Sequence, residues 1–468
     1  MTGAVASSLR ELQPYQAVMT VDGKPFLDPV ETRLFSRGLG PLLKLVRGEG
    51  IYVWDETGNR YIDGSSGPIC VNIGYGVREV WEAAIKQFEK LPFAHSFHHS
   101  VEVVVKCAEK LVEFTPPSLT RVFFCCGGSE ATESAAKMAR QYHLERGERS
   151  RYKVIARWQS YHGNTLGALS MSGNIQRRRL YIPMLLDFPH IPPAYCYRCW
   201  FGRTPESCDL ECAWALETAI KAVGPEYVSA FIAEPVVGAT LGTVPAPEDY
   251  FKIIREICDR YGVLFIADEV MTGFGRTGRR FALEHYGVEP DIMAVAKGLS
   301  SGYIPLGAAV ASEGVYEAFK KPFFHGHTYT GHPVACAVGL AVMEYIERHN
   351  LVERADEMGR HLLKRLQDLY DYGIVGDVRG LGLFAGIEFV ADRESKKPFP
   401  PEKRVHQRVY EACLRNGLLI YPGSGTVDGV RGDHIQVAPP LIVGHGEVDE
   451  IVDRLYKSIG EVERELRG

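Results

Sequence analysis

The sequence predicts an α/β protein, with a large domain on a mostly parallel sheet joined to a smaller α+β domain. Three observations carry this. Apolar runs of strand length alternate with helical stretches from about residue 120 to 325. After residue 331 that alternation gives way to two long helical stretches and then short strands. The chain has 468 residues, enough for two or three domains with sizeable cores. The predicted division is an N-terminal arm with part of the small domain over 1–74, a large domain over 75–330 and a small domain over 331–468.

In chain order, the first ~45 residues read as an arm with short helices. Residues 50–64 hold two β-rich runs around the turn Glu56-Thr57-Gly58-Asn59, a hairpin signal. Residues 101–114 have helical spacing and stop before a Pro pair. RVFFCC (121–126), KVIARW (153–158), SAFIAEPV (229–236) and VLFIADEV (263–270) read as buried strands, with further apolar runs in DIMAVAKG and LGAAVAS. A helix follows Gly127-Gly128-Ser129 and runs to Gly147; another spans 247–262, opened by Pro and closed by Gly. Residues 182–212, rich in Pro and Gly, read as an inserted loop. The last third predicts helices over 332–349, 351–370, 402–416 and 446–466, one Gly-rich strand over 373–390, and short strands at LLIY and HIQVAPP.

Composition excludes several classes. With 46% hydrophobic and 24% charged residues, the chain is neither disordered nor fibrous. Its 53 basic and 58 acidic residues give a net charge of −5, so neither nucleic acid nor an anionic membrane is an expected partner. No apolar run approaches the ~18 residues of a membrane span, and MTGAVASSLRELQPY lacks a signal-peptide core. The expected compartment is the cytoplasm. Among eleven cysteines, Cys196, Cys199, Cys208 and Cys212 cluster at spacings that structural zinc could use. Reduced thiols, or disulfides, are the other readings. His95, His98 and His99 match no ligand spacing and read as surface or subunit-contact residues.

Two strand ends carry the chemistry. Lys297 follows an apolar strand and precedes Gly298, where desolvation can lower its pKa and make it a nucleophile. Asp268 ends the most apolar run in the chain, and a buried carboxylate requires a partner. Ligands of such sheets sit beyond the carboxyl ends of the strands, so both residues can face one crevice. A lysine and a carboxylate so placed suit pyridoxal phosphate (PLP): the amine bonds the aldehyde, and the carboxylate keeps the pyridine nitrogen protonated. Gly128 and Ser129, at a strand-to-helix turn, can cradle the phosphate, and Tyr161 can stack on the ring.

The segment from Ala267 to Ser312 resembles the signature of the class III (ω-) aminotransferases. The likeness extends through GGSEATESAAKMAR, WQSYHGNTLGALS, AEPVVG, HGHTYTGHPVACAVGLA, VRGLGLFAGIEF and GDHIQVAPPLIV, and covers about residues 45–465. It implies PLP fold type I, with a seven-stranded sheet, and a homodimer or a tetramer. It implies that Lys297 bonds the cofactor and shuttles the proton, and that Asp268 pairs with the ring nitrogen. Val270 would pack under the ring and Tyr161 over it, while Gly128 and Ser129 would bind phosphate. Thr328 would reach the partner subunit's phosphate, and Glu234 would support Asp268.

Ornithine- and γ-aminobutyrate-type members carry a Glu where this chain has Ala239, so those substrates are disfavoured. The chain is more similar to the ω-amino acid:pyruvate and amine:pyruvate branch, in which an arginine clamps the keto acid's carboxylate. Arg431, in a lengthened Gly-rich loop, is the first candidate for that arginine and Arg379 the second; Ile69 would shape the pocket. The reading is a ping-pong transaminase passing an amino group from a β- or ω-amino acid or primary amine to a keto acid, pyruvate. Its alternatives are a PLP aminomutase or racemase, and a catalytically silent binding protein.

Overall fold

The run Leu264–Asp268, every residue of it buried, forms the central strand of a seven-stranded sheet. The computed structural model describes residues 42–467 together with Arg33 and Phe35. The sheet order is Leu119–Cys125, Gly307–Ser312, Ile292–Val295, Leu264–Asp268, Val228–Ala233, Lys153–Arg157 and His190–Ile191. Gly307–Ser312 is antiparallel to both neighbours; the other pairings are parallel. Side chains alternate across a strand, and here both faces are covered. Leu264 and Ile266 pack with Ala135, Met138 and Ala139 of the Gly128–Glu145 helix. Phe265 and Ala267 pack with Phe251, Ile254 and Ile257 of the Tyr250–Tyr261 helix. Burial on both faces is why these strands read as unbroken apolar runs.

The Tyr250–Tyr261 helix starts three residues after Pro247 and ends at Gly262, whose φ of +61° is left-handed. The predicted helices of the last third appear as Pro333–Arg348, Leu351–Leu366, Val405–Arg415 and His445–Arg467. Among the described residues, no helix is long and apolar enough to cross a membrane.

Several expectations are corrected. The Gly-rich strand of 373–390 is a hairpin, Val375–Leu381 and Phe384–Phe389. Gly382 turns it at φ +55°, against the Thr277 backbone, where any Cβ would collide. The LLIY strand is split: Leu418–Leu419 pairs with Ile62–Asp63, and Tyr421–Ser424 joins a second sheet beside Asp433–Val437. The 182–212 loop contributes His190–Ile191 to the large sheet and holds the start of the Glu211–Val223 helix. Two residues are too few to show a period. The Arg78–Lys90 helix was not anticipated. The hairpin of 50–64 forms as Tyr52–Asp55 and Arg60–Asp63. The short helices expected in the N-terminal arm fall almost wholly outside the described residues.

Candidate active site

Asp268 is the last residue of the central strand, and Lys297 stands two residues beyond the neighbouring parallel strand Ile292–Val295. Both therefore emerge at one edge of the sheet. There a cavity of about 160 Å³ is lined by Gly128, Ser129, Tyr161, Glu234, Asp268, Val270 and Lys297, together with His162, Ala239 and Met271.

Lys297 holds a left-handed φ of +42°, a conformation costing ~1–2 kcal/mol for a side-chain-bearing residue. The turn aims Nζ inward, where it donates to the Pro68 carbonyl at 2.9 Å. The surface it keeps lines the cavity. Burial pulls its pKa down to about 8; Cys70 and Asp268 act against that pull, and Arg276 and Arg177 add to it. The free amine is the nucleophile, so a lower pKa makes it available at lower pH. In the cofactor-free protein, the rate at which Lys297 captures an added aldehyde is therefore expected to climb with pH, reach half its maximum near pH 8 and level off above it. Labelling of Lys297 followed by mass spectrometry checks this; a rate still rising toward pH 10.5 would contradict it.

Asp268 is 4% exposed and accepts from His162 Nδ1 at 2.7 Å and from the Val270 N–H at 3.1 Å. A carboxylate only accepts, so Nδ1 carries the hydrogen. His162 Nε2 is buried without a hydrogen-bond partner. Glu234 accepts from the Tyr161 N–H at 2.8 Å and pairs with the fully buried Arg157 at 3.3 Å. Glu234 thus fixes the backbone that carries Tyr161 and His162. The other acid of the Asp-Glu pair, Glu269, is turned away to the Ala282 and Leu283 N–H groups, and burial raises its pKa to about 7.

Gly128 opens an 18-residue helix. A Cβ there would stand 2.8 Å from Val270, so glycine is required where the helix meets the cavity. Ser129 Oγ accepts from the Asn164 N–H at 3.1 Å.

The remaining predicted residues lie elsewhere. Thr328 is exposed in a turn and does not line the cavity of its own chain. Ile69 is buried in an apolar cluster with Val236, Ala282 and Phe384, and Pro68 takes the wall position instead. Arg379 is enclosed, donating to Asp377 at 2.6 Å, Glu388 at 3.0 Å, the Gly242 carbonyl at 3.0 Å and the Leu241 carbonyl. Those bonds leave it a buried strut. Arg431 is half-exposed and pairs with Asp428 at 2.7 Å.

The zinc expectation is corrected. Among the described residues, no group of three or more Cys, His, Asp or Glu is arranged to hold a metal. All four clustered cysteines are free; Cys208 donates to Glu211 at 3.2 Å.

The sequence reading missed His162 as a partner of Asp268, and also Met271 and Arg157. His162 adjoins Tyr161, so the demand that Asp268 be partnered was the available signal.

Residues 35–459 match the family model described as aminotransferase class-III. The chain is 39% identical over 423 residues to an uncharacterized aminotransferase of Bacillus subtilis, YodT, covering 90% of this chain and 95% of that protein. It is 37% identical over 426 residues to the putrescine–pyruvate aminotransferase of Pseudomonas aeruginosa, covering 89% and 90%. Among solved structures, the ω-transaminase of Pseudomonas jessenii in complex with PMP matches at 36% identity and a TM-score of 0.85, over 91% of this chain and 93% of that one.

Proposed function

Because the chain belongs to the class-III aminotransferases and shares the PLP type I fold, we propose that it is a PLP-dependent ω-transaminase working as a homodimer. A β- or ω-amino acid or a primary amine gives up its amino group, and pyruvate receives it in a second half-reaction at the same site. One observation carries this reading: a desolvated lysine and a buried carboxylate at adjacent strand ends share one cavity.

The cavity's donor set fits the cofactor. The first N–H groups of the Gly128–Glu145 helix and the Ser129 hydroxyl suit a phosphate, and the absence at Gly128 of a Cβ, which would stand 2.8 Å from Val270, keeps that cradle open. PLP, when bound, supplies an aldehyde for amines and a protonated pyridine ring that withdraws electrons from the neighbouring carbon. Lys297 would bond that aldehyde. The same Nζ would be the base that moves the substrate's proton. Asp268, oriented by His162 and Val270, would hold the proton on the ring nitrogen. Tyr161, fixed through Glu234, would cover the ring. The aminotransferases among its relatives favour amino-group transfer over the mutase, racemase and silent-protein alternatives.

Exposed aromatics support the dimer. Phe93 is 41% and Tyr329 57% exposed; they meet edge-on at 6.3 Å, and Tyr329 adjoins Thr328. Apolar surface of this kind marks contact sites, and Thr328 on that surface suits a reach into the partner's site. Pyruvate as acceptor is supported by the named Pseudomonas relative. Sedimentation of the holoenzyme, with a donor panel run against pyruvate and 2-oxoglutarate, tests the reading. The expected result is a dimer that turns over faster with pyruvate. A fully active monomer would refute the assembly, and a preference for 2-oxoglutarate would replace the acceptor.

A further inference from the structure

The inner cavity opens into an outer one of about 410 Å³, which shares Lys297, Tyr161, Ala239 and Met271 with it. Among the described residues, and apart from Lys297, the outer wall holds one lysine or arginine, Arg177, and no aspartate or glutamate. Arg177 sits in the short Ile175–Arg179 helix, where its backbone N–H donates to the capping Asn174 Oδ1 at 3.0 Å. Its guanidinium carbon lies 4.7 Å from the Tyr161 ring centroid, so the side chain lies along the aromatic wall and is held by it.

The neighbouring arginines are spent differently. Arg178 donates to the carbonyls of Leu169, Ser170 and Ser172 at 2.8–2.9 Å. Arg379 is saturated by its own partners, and Arg431 by Asp428. Arg177 forms no ion pair among the described residues. This half-buried guanidinium lines the cavity with no protein carboxylate to pair with it among the described residues. An acid that could neutralise it is missing where Ala239 lines the same wall. Its positive charge already acts on Lys297, adding to the effect of burial on that amine.

We propose that Arg177 receives the anionic end of the substrate, a carboxylate carried next to the reacting carbon. This rests on the transaminase reading and assigns its carboxylate-binding residue. The planar fork of arginine matches a carboxylate with two parallel bonds, and the anion supplies the counter-charge that the chain withholds. An uncharged amine needs no such partner and can lie along Tyr161 and Met271.

The test uses the holoenzyme and compares wild type with Arg177→Ala and Arg431→Ala. Three probes are read: kcat/KM for pyruvate relative to butanal as acceptors, kcat/KM for β-alanine relative to propylamine as donors, and calorimetric binding of propanoate, which does not react. In Arg177→Ala the pyruvate-to-butanal ratio is expected to fall roughly ten- to a hundredfold, and propanoate binding to weaken to a similar degree. A fall in the β-alanine-to-propylamine ratio alone would overturn the proposal, because β-alanine carries its carboxylate one carbon further from the reacting carbon. If neither ratio nor propanoate binding changes in Arg177→Ala, the proposal is overturned; so too if only Arg431→Ala changes them. Failure of the transaminase reading looks different: wild type would transfer no amino group to any acceptor, while the propanoate comparison would still report on Arg177.

Discussion

Lys297→Ala is expected to lose transamination almost completely while remaining folded. Three properties converge on this one side chain: its position beyond the Ile292–Val295 strand, a left-handed backbone that aims it into the cavity, and burial that frees its amine near pH 8. Removing a positioned proton-transfer group costs ~10²–10⁴-fold in rate. Losing the covalent anchor adds to that, so a fall in kcat of at least about a thousandfold is expected. The fold should tolerate the change. Among the described residues, Nζ makes one hydrogen bond, to the Pro68 carbonyl, and no carboxylate pairs with it directly. Deleting an ammonium held in a desolvating site removes an unfavourable term, so the melting temperature of the cofactor-free variant should not fall. Single-turnover assays and borohydride trapping check the chemistry. Normal turnover in this variant would defeat the assignment of the reactive amine.

Asp268→Asn should produce the second largest loss by a different route. The amide has nearly the same shape, and its oxygen can still accept from the Val270 N–H. His162 can answer by presenting its lone pair to the new NH₂ group. What disappears is the negative charge at the end of the central strand. A neutral amide cannot hold a proton on a pyridine nitrogen, so rate should fall on the order of a hundredfold or more, as for loss of a single preorganised electrostatic contact. Some cofactor should remain bound, because the lysine and the Gly128–Ser129 cradle are intact. The check is kcat together with the cofactor's absorption spectrum, and an unchanged rate would overturn the role given to the carboxylate.

Much of the site was legible because its principal residues sit at boundaries that local pattern reveals. Leu264–Asp268 and Ile292–Val295 are buried on both faces, so they appear in the sequence as apolar runs that stop abruptly. A charged residue at such a stop has a single direction to go, toward the open end of the sheet. The Gly127-Gly128-Ser129 turn was legible for a similar reason, since the start of a helix is marked by its own residues. The hairpin of 375–389 was not: Gly380 and Gly382 hide a turn inside what reads as one strand.

The arrangement of charges was settled only in three dimensions. Sequence alone put Arg431 first and Arg379 second for the carboxylate. Tertiary structure encloses Arg379 among Asp377, Glu388 and two carbonyls, pairs Arg431 with Asp428, and brings Arg177 onto the cavity wall beside Tyr161. His162 and Asp268, 106 residues apart, meet through loops whose paths no local pattern specifies. Cys208 turns to Glu211 and Cys212 is buried, so cysteines spaced for a metal do not form a site for one. Strands, helices and their ends follow from neighbours along the chain, through side-chain alternation, capping and backbone freedom. Which ion pairs with which, and which cation stays free for a substrate, depends on the desolvation and partner that each charge meets once distant segments have packed together.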